Sequence, residues 1–134
     1  MNNVPIVISI KPKWADLIKK GIKTFEVRTW QLPLGRDCYV YESYPIQKIT
    51  ASFKVKAVIM RGNGIHHAPE DYLEFLDRAC ISAGELSEYL GGRKHVYFHE
   101  VYGVNTFKEP FTLEDVGLRH PPQSWCYAKK VIEW

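Results

Sequence analysis

One long segment alternates between apolar and other residues, and it constrains the fold more than any other feature of the chain. From 49 to 60, apolar side chains recur at every second position, which is the period of a β-strand with one buried face. The alternating set is Ile49, Ala51, Phe53, Val55, Ala57 and Ile59. At roughly 3.3 Å per residue, such a strand would be about 40 Å long. Because strands of this length bend in small barrels, we expect a curled sheet.

The N-terminal part predicts a strand, a short helix and two more strands. The first strand covers 5–10 and is almost entirely apolar, as expected for a strand that is buried on both faces. Pro12 is placed to open the helix, an apolar stripe at helical spacing begins at Trp14, and Gly21 is placed to end the helix. The next two strands are predicted at 23–30 and 37–42.

The C-terminal part predicts two helices and two further strands. Apolar residues at helical spacing mark the first helix between 72 and 79, and Ser82 with Glu85 forms a capping box before the second. The remaining elements are a long strand at 95–107 with a kink at Gly103, a helical turn at 113–116 and a last strand at 126–133. Five or six strands with helices inserted between them predict an α+β fold, a small and partly closed β-barrel with flanking helices. Since no repeat or long linker interrupts the chain, we expect one domain over 1–134.

Composition excludes several classes of protein. Aromatic residues make up 13% of the 134 residues, which excludes a disordered chain. No apolar run is long enough to span a membrane, and the N-terminus lacks the features of a signal peptide, so we expect a cytoplasmic protein. The cysteines, Cys38, Cys80 and Cys126, are odd in number and far apart, which favours small buried side chains over a disulfide framework or a zinc site.

Charge is unevenly distributed along the chain. The segment 62–92 carries six acidic residues against one arginine, a net charge of −5, which leaves +8 for the rest of a chain whose total is +3. Five lysines lie between Lys11 and Lys23. This asymmetry would steer an anionic partner to one side of the molecule, or it marks only a solvated helix surface. The acidic helices of 68–90, with Glu74 and Asp77, are also a candidate surface for a protein partner.

The polar face of the second strand is the first candidate site. Alternation puts Thr24, Glu26 and Arg28 on one face, directly after the basic helix, and Lys23 stands at the start of the strand. A carboxylate and a guanidinium two residues apart can orient each other or clamp a polar ligand. The alternative interpretation is an ordinary solvent-exposed ion pair.

The loop before the last strand is the second candidate site. Two prolines precede Gln123, Ser124 and Trp125. The amide of Gln123 offers both a donor and an acceptor for a base edge, and the indole of Trp125 offers a stacking surface. The alternative interpretation is a rigid turn with Trp125 in the core.

Metal and cofactor chemistry are not expected. The histidines at 66, 67 and 99 have no partners at metal-ligand spacing, and the sequence has no P-loop or glycine-rich dinucleotide motif. No nucleophile–base pair is recognisable in the sequence either.

Several of these segments together resemble ASCH domains, a branch of the PUA-like superfamily. The stretch 8–12, ISIKP, followed by a helix and then by 21–28, GIKTFEVR, is similar to that family's strand, short helix and G-x-K-x-x-E-x-R pattern. The strand at 49–60, the strand near Tyr97 and the ending 121–125, PPQSW, are similar to those of short ASCH-type proteins of bacteria and phages. The resemblance covers nearly the whole chain.

The resemblance implies a small β-barrel with flanking helices and a cleft beside the first helix that binds RNA or a nucleotide. Carried over by position, the binding residues would be Lys11, Lys23, Glu26 and Arg28. To these we add, from their chemistry alone, Thr24, Gln123, Ser124 and Trp125.

Some members of the family are enzymes, which leaves a second function open. One branch consists of amidohydrolases of N-acetylated cytidine that use a lysine and, three residues later, a threonine; this chain has Lys23 but carries Glu26 in place of the threonine. Other members are ribonucleases, for which Lys23 and Glu26 could serve as acid and base. We therefore predict an RNA- or nucleotide-binding module, with an enzyme acting on RNA or a modified nucleoside in the same cleft as the alternative.

Overall fold

The computed structural model describes residues 4–62 and 71–133, which form one six-stranded sheet and three α-helices. The strands are β1 (Ile6–Ile10), β2 (Phe25–Arg28), β3 (Cys38–Glu42), β4 (Lys48–Gly62), β5 (His95–Phe111) and β6 (Trp125–Tyr127). The helices are α1 (Pro12–Lys19), α2 (Asp71–Arg78) and α3 (Ala83–Leu90), and a short 3-10 turn spans Glu114–Val116. The predicted α+β class, a curled sheet with flanking helices, is confirmed. The histidine pair at 66–67 and positions 68–70 lie outside the described residues.

The order of the strands brings the two ends of the chain together. Across the sheet the order is β2-β5-β4-β3-β1-β6. β1 runs parallel to β3 and antiparallel to β6, and the other pairs are antiparallel. Because β1 and β6 are neighbours, the loop before β6 lies against the end of β1.

The curvature comes from irregular pairing between the two longest strands. The register of β4 with β5 shifts three times, once between Ser52 and Lys54, whose partners are Asn105 and Tyr102. At this point two residues of β5, Gly103 and Val104, stand opposite one residue of β4, and the φ of Gly103, +61°, favours glycine. The kink predicted at Gly103 is therefore confirmed.

Apolar residues form three clusters. In the first, Phe25 and Val27 of β2 pack against α2 and α3. Residues of β1, β3, β4 and α1 form the second cluster. A third lies on the opposite face of β1 and β3, beneath the C-terminal segment. The alternate residues of β2, Glu26 and Arg28, therefore point away from the α2–α3 cluster.

The last strand is much shorter than the predicted 126–133. β6 ends at Tyr127, after which the chain turns so that Ala128 and Ile132 enter the third cluster. Backbone N–H groups of Lys129 and Lys130 donate to the carbonyl of Val116, and these bonds replace strand pairing. No helix among the described residues is long and apolar enough to cross a membrane.

Candidate functional site

A cavity of about 460 Å³ lies beside α1, between β2, the α3 region and the loop before β6. Its lining includes six of the eight predicted site residues: Lys11, Lys23, Glu26, Arg28, Gln123 and Ser124. Residues more than ninety positions apart in the sequence are thus brought to one cavity by the pairing of β1 with β6.

An ion pair between Glu26 and Arg28 forms part of the cavity wall. Glu26 is only 5% exposed and Arg28 only 9%, so the alternative of a solvent-exposed pair is wrong. Arg28 donates from Nε to Glu26 Oε2 at 2.8 Å, and its Nη2 lies 2.7 Å from the same oxygen. Burial strengthens this attraction and makes the loss of either partner costly.

Arg28 also links β2 to the chain segments on the far side of the cavity. Its Nη2 donates to the carbonyl of Ser9 at 2.8 Å, and its Nη1 donates to Ser124 Oγ at 3.2 Å. Ser9 in turn holds the loop, because its hydroxyl donates to the carbonyl of Pro122 at 2.6 Å and its N–H to that of Ser124 at 2.9 Å. The loop that carries Gln123 is therefore fixed to β1 and β2.

Lys23 lies at the cavity although strand alternation would turn it away. Because β2 begins only at Phe25, the direction of the Lys23 side chain does not have to follow the alternation of the strand. Its Nζ lies 3.7 Å from Glu26 Oε1 and donates to the carbonyl of Ala79 at 2.6 Å. Burial lowers the pKa of Lys23, and the negative charge of Glu26 opposes that shift. The carboxylate of Glu26 thus lies between two buried cations.

Nine further residues that the sequence analysis did not assign to the site line the cavity, and Trp14, Tyr89 and Arg93 are the large side chains among them with rings or charge. Trp14 belongs to the apolar stripe of α1, and its ring centroid lies 5.0 Å from Lys23 Nζ. Burial raises the pKa of Tyr89, whose side chain also hydrogen-bonds the backbone of Thr29. The sequence does not predict that Tyr89 and Arg93 belong to the site, because they reach the cavity only through the packing of α3.

Thr24 and Trp125 lie away from the cavity and are held by other partners. Thr24 Oγ1 accepts a hydrogen bond from Arg78 Nε at 3.0 Å. Trp125 pairs with Ile8 across β6 and β1, packs half-buried against the core, and meets Tyr127 edge-to-face at 5.2 Å. The structure therefore favours the core placement that was the alternative for Trp125.

His99 of β5 supports the cavity wall from the position directly opposite Glu26 of β2. Its imidazole is fully buried; Nε2 accepts from the N–H of Leu32 at 2.9 Å, and Nδ1 lies 3.1 Å from the carbonyl of Glu26, to which it donates. Burial lowers the pKa of His99. A neutral histidine in this tautomer satisfies both bonds, so His99 holds the backbone of Glu26 in place.

The lining combines charge, aromatic rings and hydrogen-bonding groups. Four basic residues, Lys11, Lys23, Arg28 and Arg93, face one carboxylate, Glu26. Rings from Trp14 and Tyr89 and the amide of Gln123 complete the set. Such a cavity is large enough for a small ligand that carries an anionic group and a planar ring. Among residues 4–62 and 71–133, no group of histidine, cysteine or acidic side chains could hold a metal ion.

Comparison with known proteins identifies the family. The ASCH domain model matches residues 8–112, so the chain belongs to the ASCH domain family. The sequence has no match among curated proteins.

Solved structures with this fold include an ASCH protein from Zymomonas mobilis. It has a TM-score of 0.81 and 21% identity, and the alignment covers 96% of this chain and 90% of that one. Its serine-to-alanine variant gives 0.80 at 20% identity over 94% and 89%, and its tyrosine-to-phenylalanine variant gives 0.79 at 19% over 96% and 92%. These similarities establish the six-stranded fold.

Proposed function

We propose that this ASCH domain binds RNA or a nucleotide in the cavity beside α1. The observation that carries the proposal is the meeting of cations, aromatic rings and a side-chain amide in one cavity. Proteins bind single-stranded RNA with this combination, in which cations attract phosphates, rings stack on bases and amides read base edges. Membership of the ASCH family supports the same proposal.

The cations differ in how they would serve a phosphate. Lys23 and Arg28 are buried and already occupied by Glu26 and by backbone carbonyls. Lys11 and Arg93 are exposed at the rim. An incoming phosphate would therefore meet Lys11 and Arg93 at the rim first. The two buried cations, Lys23 and Arg28, would contribute a positive potential at the cavity wall.

Lys11 provides the sharpest test, because it is exposed and its removal leaves the buried network intact. We expect Lys11→Ala to weaken binding of a labelled single-stranded RNA octamer several-fold at low salt, measured by fluorescence anisotropy. The affinity of the unmodified protein should also fall as salt rises, since each phosphate contact releases counterions.

The matched control is Lys108→Ala, which removes an exposed lysine of β5 outside the cavity lining. Equal losses in the two variants would indicate a general charge effect and would contradict binding at the cavity. An affinity that is independent of both salt and Lys11 would contradict the proposal as a whole.

A second candidate function is catalysis on RNA or a modified nucleoside in the same cavity. The observation in its favour is the buried amine of Lys23, whose lowered pKa suits proton transfer, 3.7 Å from the carboxylate of Glu26. We expect product release from RNA or an acylated nucleoside, and we expect it to be lost in Lys23→Met even at substrate concentrations that saturate the variant. If RNA that has bound to the unmodified protein is recovered unchanged, catalysis on RNA is contradicted and binding remains the proposed function.

The protein surface predicted for 68–90 stays a prediction. Glu74 and Asp77 are exposed on α2, where a partner could reach them. Charge reversal at both positions should reduce recovery of such a partner, and unchanged recovery would contradict the prediction.

A further inference from the structure

We infer that the ligand is a single strand of RNA, and that the nucleotide next to the cavity stacks on an aromatic pair formed by Trp30 and Tyr97. The inference rests on the proposed function and deepens it. It assigns two adjacent binding positions, one in the cavity and one on the pair, and so names a strand of two or more nucleotides as the ligand instead of a free nucleotide.

The aromatic pair offers an open stacking surface. Trp30 is 72% exposed, although an indole gains about 2 kcal/mol or more from burial in a core. Its ring lies 5.9 Å from that of Tyr97, centroid to centroid, at an angle of 52°. Tyr97 is half-buried and supports Trp30 from the sheet. The contact holds one side of the indole, and much of the ring remains accessible to a base.

The pair is continuous with the cavity. Tyr97 of β5 stands directly opposite Arg28 of β2, and side chains at directly paired positions lie on the same face of a sheet. Thr29 lines the cavity, and Trp30 is the next residue. A ligand that leaves the cavity past Arg28 and Thr29 therefore reaches the aromatic pair without crossing the sheet.

Cations follow the same path. Arg93 lines the cavity, the exposed Lys94 comes next, and Tyr97 lies three residues further along the chain. The connection from α3 to β5 thus carries positive charge from the cavity rim toward the pair. Phosphates that join a nucleotide in the cavity to one on Trp30 would find these cations beside them. Stacking rings along a cationic path are the means by which proteins hold single-stranded nucleic acid.

Binding of two probes to the same variants tests this inference. The probes are a labelled single-stranded RNA octamer of random sequence, measured by anisotropy, and an equal mixture of the four nucleoside 5′-monophosphates, measured by competition. We expect Trp30→Ala to weaken octamer binding roughly 5- to 150-fold, the range for loss of one stacked base. The same variant should bind the monophosphates as the unmodified protein does, and Trp30→Phe should restore most octamer binding.

The control variant is Tyr102→Ala, because Tyr102 is another exposed aromatic of β5 and stands opposite Lys54, away from Arg28. It should leave octamer binding unchanged. Unchanged octamer binding in Trp30→Ala, or an equal loss for both probes, would overturn the second binding position while leaving the cavity proposal intact. Tighter binding of a DNA octamer or of duplex RNA than of the RNA strand would overturn the assignment to single-stranded RNA.

Failure of the proposed function has a different signature. If Lys11→Ala changes binding of neither probe, the cavity is not the nucleotide site, and the inference falls with the proposed function. Loss of both probes in Lys11→Ala, together with loss of the octamer alone in Trp30→Ala, is the result that supports both.

Discussion

At the scale of single residues, the carboxylate of Glu26 keeps two buried cations at the cavity wall. Replacing it by an amide in Glu26→Gln removes the negative charge and leaves Lys23 and Arg28 without a counterion. Because loss of one partner leaves buried charge uncompensated, we expect the free energy of unfolding to fall by about 3 kcal/mol. Urea unfolding at neutral pH measures the change.

The double variant Glu26→Gln with Arg28→Met separates charge from packing. The double variant removes one of the two cations that lack a counterion in Glu26→Gln, so it should be more stable than Glu26→Gln alone. A loss below about 1 kcal/mol in the single variant would show that water reaches the pair and screens it, contrary to its burial.

His99 makes stability depend on pH on the acid side. Burial holds the folded-state pKa of His99 below its usual 6.5, so the unfolded chain takes up the proton first as the pH falls. Stability should therefore be complete above pH 6.5 and should decline below it, by at most about 1.4 kcal/mol per pH unit from this one group.

Urea unfolding at pH 7.5 and pH 5.5 measures this effect in the unmodified protein and in His99→Gln. The glutamine cannot take up a proton, so the variant should lose less stability between the two pH values. If both proteins lose the same amount, other groups cause the acid sensitivity.

Single residues also mark the limit of prediction from sequence. Alternation correctly placed Glu26 and Arg28 on one face, because a strand imposes its period locally. Whether Thr24 is available to a ligand depends on Arg78, 54 positions away, which occupies its hydroxyl. Arg93 and Tyr89 reach the cavity only because α3 packs against β2. No local pattern contains this information.

At the scale of elements, α3 depends on its cap. The Ser82 hydroxyl accepts from the N–H of Glu85 at 3.0 Å, and the Glu85 carboxylate accepts from the N–H of Ser82 at 3.2 Å, which is the capping box read from the sequence. We expect Ser82→Ala to lower the free energy of unfolding by about 1 kcal/mol, measured by urea unfolding.

Ser87 is the matched control, since it is an exposed serine within the same helix. Ser87→Ala should leave stability unchanged or raise it slightly, because alanine is the better helix former. Ser82→Asp should retain most of the stability, since aspartate also caps helices. Equal effects of both alanine variants would contradict a role for the cap.

Elements with clear ends were the ones that the sequence predicted well. α1 begins at Pro12 and α3 is capped at Ser82, as expected, because these signals act on neighbouring backbone groups. The last strand was overextended to 133. Ala128 and Ile132 of this segment are core residues, but the backbone around them is held by hydrogen bonds to Val116 and Tyr39 and not by strand pairing. Composition alone does not separate these two ways of burying a residue.

At the scale of the whole molecule, we expect the chain to unfold as one domain. β4 supplies residues to all three apolar clusters, with Ile59 in the first, Phe53 in the second and Ile49 in the third. Loss of any one cluster would therefore disturb the strand that the others need. Unfolding curves followed by tryptophan fluorescence and by far-UV circular dichroism should coincide. Two separate transitions would contradict a single domain.

The bond from Ser9 to Pro122 joins positions 113 residues apart in the sequence, and this separation has a consequence for biosynthesis. A ribosome adds roughly 5–20 residues per second, so the apolar strand β1 emerges several seconds before β6, its neighbour on one edge. Until then that edge offers unpaired backbone groups, the usual starting point for aggregation. A nascent chain halted before β6 would contain α1 and most of the sheet but no closed cavity. The proposed binding site would thus lack Gln123 and Ser124 until translation had passed position 124.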